Sequence, residues 1–325
     1  MRALLCPTLG SLDNLEVGEI ADPVCGDGEV RIAVKASGVN FPDILMVEGK
    51  YQVKPELPFV PGLEVAGDVI ECGAGVGHLS PGDRVLAFAR YGGAHAEQIV
   101  LPGAIVTPIP ASMDYVTAAA FYVAYGTAHF ALEYRGAVKP GETVLVLGAA
   151  GGTGLAAIEV AKMLGARVIA AASDADKLAL CRAHGADETV NYRTEDLRDR
   201  VRELTDQQGV DVVFDPVGGE AFTQSVRCIG WEGRILVVGF ASGDIPKVAA
   251  NMILVKNFSV VGVVFGEHSR RYPDDTRARM QTLLAAFDAG KLKPEVMRTY
   301  PLAEAGEALA TVANRQAKGK LVVVM

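Results

Sequence analysis

One glycine-rich stretch, residues 144–155, constrains the fold of this chain more than any other part of it. An apolar run, Val-Leu-Val-Leu, leads into glycines at every third position and then into an alanine-rich segment. The apolar run predicts a buried strand, and the alanine-rich segment predicts a helix. Glycines between them let the backbone approach a pyrophosphate closely, while the helix N-terminus offers free amides to the anion. The residues predicted to line this dinucleotide-binding turn are Gly148, Gly151, Gly152, Thr153 and Gly154.

Length, charge and cysteine usage limit the class of protein. The 325 residues, half of them hydrophobic, are enough for about two domains. A net charge of −8 gives no basic patch for nucleic acid or an anionic membrane. Five dispersed cysteines without a C-x-x-C pair are typical of a reduced protein, and the N-terminus lacks the apolar core of a signal peptide. We therefore expect a cytoplasmic protein with no membrane and no nucleic-acid partner.

Strand and turn signals divide the chain into two parts. Over roughly the first 115 residues, short strand-like runs separated by Gly and Pro predict a β-barrel or sandwich. From residue 142 onward strands and helices alternate, which predicts a parallel sheet with helices on both faces. The run 258–265 is apolar on both faces and predicts a strand at the sheet edge, where a second subunit could pair.

The residues after the predicted strand 167–172 bear on the choice of cofactor. In NAD-binding folds an acidic residue about 20 positions after the glycines usually binds the ribose 2′-hydroxyl. Here Ser173 follows the strand, with Asp174 beside it and Lys177 within the next turn. A hydroxyl and a lysine suit a 2′-phosphate, to which Tyr192 could add a donor, so we expect NADPH. In the alternative, Asp174 is the acid of an NADH site and Lys177 is a solvated helix residue.

Several further motifs occur in a specific order along the chain. They are Gly-Val-Asn-Phe-Pro-Asp at 38–43, Glu-Gly-Lys-Tyr at 48–51, Pro-Gly-Leu-Glu-Val-Ala-Gly at 61–67, Asp-Pro-Val-Gly-Gly at 215–219 and Lys-Gly-Lys-Leu-Val at 318–322. With the glycines of 148–154, they resemble the medium-chain dehydrogenase/reductases over essentially the whole length, specifically the zinc-free, zeta-crystallin-like quinone oxidoreductases. The resemblance implies an α/β fold. A GroES-like β-barrel catalytic domain would cover 1–118 and 266–325, and a Rossmann domain with a doubly wound parallel sheet would cover 119–265.

The resemblance also implies which residues surround the reacting groups. Asn40 and Thr127 would approach the nicotinamide, and the segment around Phe265 would contact its carboxamide. Tyr51 would hydrogen-bond a substrate carbonyl or provide a proton, with Asp43 as a further catalytic candidate. The remaining residues implied to line the cleft are Val217, Phe240 and Ser242.

Plainer interpretations of these residues remain open. Tyr51 could be a surface aromatic and Asn40 a buried turn residue. Asp43 could be a helix or turn acid rather than a base, and Phe240 and Phe265 could belong to the core.

The zinc ligands of metal-bearing relatives have no counterpart in this sequence. Those relatives carry a cysteine soon after the third strand and a Gly-His-Glu further on, whereas this chain reads Ser-Gly-Val-Asn at 37–40 and Gly-Leu-Glu at 62–64. Leu63 cannot ligate a metal, and the interval 88–100 contains no cysteine for a structural zinc site. Without a Lewis acid to polarise an alcohol, the sequence favours hydride delivery to an acceptor that needs no metal.

We therefore predict an NADPH-dependent quinone reductase that works without zinc, as a homodimer paired through the edge strand. The alternative within enzymes is an enone or enoyl-thioester (alkenal) reductase, because it demands the same hydride geometry. An alternative of another class is a non-catalytic NADPH-binding protein.

Overall fold

The computed structural model describes all 325 residues, which form two compact units. Each unit takes residues from more than one part of the chain. The first unit comprises Met1–Val123, Gly266–Gly290 and Pro294–Met325, and the second comprises Ala124–Phe265 and Lys291–Lys293. None of the helices combines the length and the apolar character that a membrane span requires.

The strands and helices are numbered here in chain order. The strands are β1 (Arg2–Leu5), β2 (Glu16–Glu19), β3 (Glu29–Val39), β4 (Glu64–Cys72), β5 (Arg84–Phe88), β6 (Gln98–Pro102), β7 (Val106–Pro108), β8 (Thr143–Val146), β9 (Arg167–Ala172), β10 (Glu188–Asn191), β11 (Val210–Asp215), β12 (Ile229–Val237), β13 (Ser259–Gly262), β14 (Val296–Pro301) and β15 (Lys320–Val324). The α-helices are α1 (Phe41–Val47), α2 (Tyr115–Ala119), α3 (Tyr122–His129), α4 (Gly152–Met163), α5 (Ala175–Ala183), α6 (Leu197–Leu204), α7 (Gly219–Cys228), α8 (Ala250–Lys256), α9 (Phe265–Arg271), α10 (Pro273–Asp288) and α11 (Ala305–Ala313).

The first unit is built on a seven-stranded sheet in the order β14-β15-β3-β4-β5-β7, with β6 also paired to β3. All of its pairs are antiparallel except β14 with β15. Alternate residues of β3, among them Val30, Ile32 and Val34, are buried in one apolar cluster with residues of β4 to β7. Because β15 pairs with the end of β3, the C-terminal strand completes this sheet beside the first residues of α1.

The junction of β3 and α1 shows how local sequence positions side chains. Asn40 precedes the helix in an extended conformation (φ −131°), and a proline stands at the helix start, where it costs no hydrogen bond. The Asp43 carboxylate accepts a hydrogen bond from the Asn40 backbone N–H at 2.7 Å. This bond, from the third helical residue back to the residue that caps the helix, is one of the two bonds of a capping box. The end of β3 and the start of α1 are thereby fixed together.

The second unit contains a six-stranded, entirely parallel sheet in the order β10-β9-β8-β11-β12-β13. The chain runs outward from β8 in one direction to β10, then crosses to β11 and continues to β13. This reversal beside β8 is the switch point at which doubly wound sheets bind their ligands. The predicted parallel sheet is thus confirmed.

The predicted strand over 258–265 is wrong in its extent. Only Ser259–Gly262 pairs with β12, and the last pair is Val237 with Gly262, because β12 ends there. Phe265 instead begins α9. The strand does lie at the edge of the sheet, and most of its residues are exposed.

Candidate active site

The glycine-rich turn of the second unit lies between β8 and α4. Gly148 adopts φ +57°, a left-handed conformation that glycine tolerates without cost. A Cβ built on Gly154 would lie 2.4 Å from the Gly148 carbonyl oxygen and 2.7 Å from Ala149 Cα, so the helix packs on the turn only with glycine there. Because α4 begins at Gly152, its first amides, including that of Thr153, have no partner within the helix. The turn is therefore suited to bind a phosphate through its backbone.

The residues predicted to select the cofactor lie together at the end of β9. Lys177 Nζ lies 3.2 Å from Ser173 Oγ, and the Tyr192 backbone N–H donates to the carbonyl of Ala172, the residue before Ser173. Asp174 caps α5, since its Oδ1 accepts the Lys177 backbone N–H at 3.0 Å. The other oxygen of that carboxylate, Oδ2, accepts a hydrogen bond from Ser173 Oγ at 2.9 Å and lies 3.8 Å from Lys177 Nζ, so Asp174 both caps the helix and contacts the two side chains that converge beside it.

A buried acid of the same unit, Asp215, fixes the loop that follows β11. Its Oδ1 accepts the backbone N–H groups of Val217 and Gly218 at 2.8 and 2.9 Å. Burial raises the pKa of Asp215, although these two hydrogen bonds oppose the rise. Val217 in turn accepts the Ser242 backbone N–H at 2.9 Å, and Gly218 leaves no room for a Cβ beside the Phe240 ring. The structure thus brings Val217, Phe240 and Ser242 together.

Thr127 and Phe265 lie on other elements of the second unit, α3 and the first residue of α9. Thr127 is half-buried on α3. Phe265 is buried, with its ring centroid 6.0 Å from that of Phe130. The Phe265 ring therefore packs in the interior of the unit.

In the first unit, a buried ion pair joins Lys320 to Glu64. The ammonium lies 2.5 Å from Glu64 Oε1, and the two side chains are 7% and 1% exposed. Lys320 also donates to Asn40 Oδ1 at 2.7 Å and to the Val39 carbonyl at 2.9 Å. The other Glu64 oxygen accepts the Val123 backbone N–H at 2.9 Å. All three ammonium protons and both carboxylate oxygens are thus paired, as burial of two charges requires.

Asn40 is oriented by this ion pair. Its amide nitrogen donates to Glu64 Oε1 at 2.9 Å and to the Gly38 carbonyl at 3.3 Å, while its oxygen accepts from Lys320. Both amide protons are therefore engaged. Only the second lone pair of Oδ1 is left for a polar contact with a ligand.

Asp43 is fully buried, and its surroundings destabilise the ionised form of its carboxyl group. Burial raises the pKa of Asp43 to about 7, and the negative charge of Glu64 adds to the rise. The backbone N–H groups of Asn40 and Gly62 and the Lys320 ammonium oppose it. Its Oδ1 has no hydrogen-bond partner. Asp43 therefore changes protonation state near neutral pH, inside the protein.

Tyr51 follows α1 and is tied to it by a backbone hydrogen bond to a helix carbonyl at 3.0 Å. Burial raises the pKa of Tyr51, the Arg90 cation lowers it and the Asp43 charge raises it further. Arg90 is itself fixed, because it donates to the Gly266 carbonyl at 2.5 Å and to the Glu267 carboxylate at 2.8 Å. The phenol thus lies within electrostatic reach of both an acid and a cation.

The donors near this ion pair do not fit a zinc ion. No group of three or more His, Cys, Asp or Glu side chains is arranged to hold a metal. Leu63 is a buried core residue. His95 is fully buried and bonds Ser37 Oγ through Nδ1 at 2.8 Å, and burial, reinforced by the Lys320 charge, lowers its pKa to about 3. Glu64 already has a cation beside it, the Lys320 ammonium.

Four residues of these sites were not singled out as functional from the sequence. A lysine immediately before the apolar run of β15, and a glutamate at the start of the apolar β4, are both signals of a buried charge that needs a partner. Asp215, at the end of a buried strand, carries the same signal. Arg90 lies in a loop and has none. In order along the chain they are Glu64, Arg90, Asp215 and Lys320.

Comparisons with known proteins agree with both units. The model of the alcohol dehydrogenase GroES-like domain matches residues 26–111, and that of the zinc-binding dehydrogenase matches residues 152–284. The quinone oxidoreductase-like protein 2 homolog of Nematostella vectensis is 44% identical over 99% of this chain and 88% of its own length. The chain belongs to the quinone oxidoreductases of the medium-chain dehydrogenase/reductase superfamily. This oxidoreductase family and the GroES-like plus Rossmann fold class were both predicted from the sequence and are confirmed.

Solved structures of family members superpose on the whole of this medium-chain oxidoreductase. A probable oxidoreductase from Mycobacterium abscessus is 39% identical with a TM-score of 0.91, covering 100% of this chain and 99% of that one. Escherichia coli quinone oxidoreductase complexed with NADPH is 28% identical with a TM-score of 0.94, and each chain is covered completely. A family of this kind acts on small molecules.

The burial of the Lys320–Glu64 ion pair predicts how its loss changes the free energy of unfolding. Replacing Lys320 by Met should lower the free energy of unfolding by about 3–5 kcal/mol, because the Glu64 charge would remain buried without its cation. Denaturant unfolding measures the loss, and Lys54→Met, at an exposed lysine of the same unit, is the matched control. The double variant Lys320→Met/Glu64→Leu should lose less than Lys320→Met alone. A double variant that loses the sum of both single changes would contradict the coupling.

Proposed function

We propose that this chain is an NADPH-dependent quinone reductase that transfers hydride without zinc. The observation that carries the proposal is the contact of Lys177 with Ser173 at the ribose end of a Rossmann turn. That pair offers an ammonium and a hydroxyl to a 2′-phosphate. An NADPH complex of a structural neighbour with the same fold supports it.

The residues of the second unit fit such a nucleotide along its length. The glycines at 148, 151, 152 and 154 bring no side chain to their positions in the turn, and the first amides of α4 are free for a pyrophosphate. Asp215 fixes the loop at Val217, and the Val217 carbonyl in turn accepts the backbone N–H of Ser242 in the loop after β12. When bound, NADPH supplies a hydride from its nicotinamide ring; the protein orients that ring and excludes water.

Reduction of a quinone needs a proton as well as a hydride, and the first unit contains groups suited to handle it. Tyr51 can donate a hydrogen bond to an acceptor oxygen, on which negative charge develops. Asp43, with a pKa of about 7 and within electrostatic reach, is a proton store for that phenol. The Arg90 cation stabilises the phenolate that forms when the proton leaves. Asn40 keeps its geometry through Lys320 and Glu64.

A quinone suits this set of groups better than an alcohol does. Hydride addition to a quinone places negative charge on an oxygen, and this charge is delocalised through the ring. Hydrogen-bond donors therefore suffice to stabilise it, and no Lewis acid is needed. The position beside Glu64 has the Lys320 ammonium in place of a metal. A cytoplasmic location, inferred from the dispersed cysteines, stays a prediction.

Replacing Lys177 by Ala tests the cofactor. The KM for NADPH should rise about tenfold or more, because a charge-assisted contact with the 2′-phosphate is lost, while the KM for NADH stays within about twofold. Steady-state kinetics with both nucleotides measure this split, and Lys139→Ala, at an exposed lysine of the same unit, is the control. An unchanged KM for NADPH would overturn the 2′-phosphate assignment.

Replacing Tyr51 by Phe tests the acceptor side. With a quinone, kcat should fall about tenfold to a hundredfold while the KM for NADPH is retained, since only the donor to the acceptor oxygen is removed. Tyr272→Phe, at an exposed tyrosine of the same unit, is the control. The metal-free protein should be assayed against quinones, conjugated enones and enoyl thioesters.

The acceptor panel separates the competing functions. Turnover of enones alone would favour the alkenal reductase, and NADPH binding with no turnover would favour a non-catalytic binding protein. Activity that depends on stoichiometric zinc would contradict the zinc-free mechanism.

We propose further that the protein is a homodimer paired through β13. That strand ends the parallel sheet, has no strand on its outer side and exposes Val260, while the Gly262 carbonyl accepts a hydrogen bond from Arg135 Nε at 3.0 Å. Val260→Lys should convert the dimer to a monomer, because two lysines would then face each other across the paired edges. Light scattering at micromolar concentration measures the mass, with Val24→Lys, at an exposed valine of the other unit, as the control. A monomeric unsubstituted protein would refute the dimer.

A further inference from the structure

Two half-buried cysteines lie at the end of the first unit's sheet that is opposite to Asn40. Cys25 precedes β3, and Cys72 is the last residue of β4. In the antiparallel pairing of these strands, Cys72 lies opposite Val30, near the start of β3. The two thiols are far apart in sequence but belong to the same corner of the sheet.

Backbone contacts bring the two cysteines close together. Cys25 Sγ lies 3.3 Å from the Glu29 carbonyl oxygen, and the same oxygen accepts the backbone N–H of Gly73 at 2.8 Å. A Cβ built on Gly73 would lie 1.8 Å from the Gly26 carbonyl oxygen, so the backbone directly after Cys25 touches the backbone directly after Cys72.

The sulfurs also interact electrostatically. Burial raises the pKa of Cys72, and the negative charges of Cys25 and Asp83 raise it further. The Cys72 sulfur is oriented by the Leu79 carbonyl, 3.6 Å away, and the Cys25 sulfur by Glu29. Neither thiol is shielded completely from solvent, since both residues are of intermediate exposure.

We propose that Cys25 and Cys72 form a reversible disulfide when the protein meets a peroxide. A disulfide needs Cα atoms about 4–7 Å apart, and the contact of Gly26 with Gly73 draws the two neighbouring residues toward that range. Glycine beside each cysteine allows the small backbone adjustment that closure requires.

The chemistry balances with peroxide as the oxidant. The Cys25 thiolate attacks one peroxide oxygen, the O–O bond breaks, and the departing hydroxide takes up a proton to give water and a sulfenic acid. The Cys72 thiolate then attacks the Cys25 sulfur, the S–O bond breaks and a second water leaves. Two thiols lose two electrons and two protons, and the peroxide becomes two waters.

The other three cysteines serve as internal controls. Cys6, Cys181 and Cys228 are buried, and burial raises the pKa of Cys181 and of Cys228 to about 12. Their thiolate populations are therefore small, and a limited peroxide treatment should leave them reduced. The new bond lies at the opposite end of β4 from Glu64, roughly 26 Å away at about 3.3 Å per residue, so oxidation should not alter the ion pair there.

The test is limited oxidation of the complete protein with hydrogen peroxide. Thiols titrated in denaturant should fall from five to three, a peptide linking residues 25 and 72 should appear by mass spectrometry, and dithiothreitol should restore all five. The oxidised protein should melt at a higher temperature, because the disulfide restricts the unfolded chain. With Cys72→Ser, a sulfenic-acid trap should label Cys25, and with Cys25→Ser, Cys72 should stay a thiol.

Several results would overturn the proposal. They are five remaining thiols after oxidation, a disulfide between two copies of the chain, or first oxidation at Cys6, Cys181 or Cys228. Over-oxidation of Cys25 with Cys72 still present would count equally against it. If either serine variant fails to fold, peptide mapping of the unsubstituted protein decides alone. None of these readouts depends on quinone reduction or on the nucleotide.

Discussion

The fold and the candidate active site of the first unit both depend on one buried ion pair, Lys320 with Glu64. Removing two charges from water costs several kcal/mol for each ion, and the cost is offset only when every donor and acceptor finds a partner. Asn40 supplies two of those partners, and a change in its orientation would cost each of the two buried charges a hydrogen bond. The C-terminal strand β15, which carries Lys320, is thus required both to complete the sheet and to orient Asn40.

In the second unit, the candidate site residues are held in position mainly by backbone geometry. Its glycine-rich turn depends on the absence of side chains at Gly148 and Gly154, and its acids Asp174 and Asp215 accept hydrogen bonds from backbone N–H groups. Asp174 fixes the start of α5, and Asp215 fixes the loop that leads to α7. Such short contacts within a few residues are encoded locally, whereas the Lys320 pair joins residues 256 positions apart.

This difference explains what could be predicted from the sequence. The glycine spacing identified the turn, and the Ser173–Lys177 pair followed from counting beyond the glycines, because both signals are local. The alternating pattern predicted the parallel sheet, but the edge strand near Phe265 was drawn too long, since apolar character alone cannot show where its partner β12 ends. Asn40 was predicted to be a site residue and stays a prediction, but its hydrogen bonds with Lys320 and Glu64 could not be predicted, because long-range pairing of charges leaves no periodicity in the sequence.

The saturated ion pair also determines how the neighbouring acid behaves. Lys320 and Glu64 largely cancel each other's charge, so Asp43 gains little from the ammonium and burial dominates its pKa. The carboxylate that Arg90 contacts, that of Glu267, also accepts hydrogen bonds from Arg270 and Arg271, which lower the pKa of Glu267 to about 2. One carboxylate therefore faces three guanidinium groups, and net positive charge is left near Tyr51. Tyr51 therefore lies within electrostatic reach of a carboxyl that gains and loses its proton near neutral pH, and of a cation that stabilises the phenolate. An acceptor that takes a hydride and then a proton needs both.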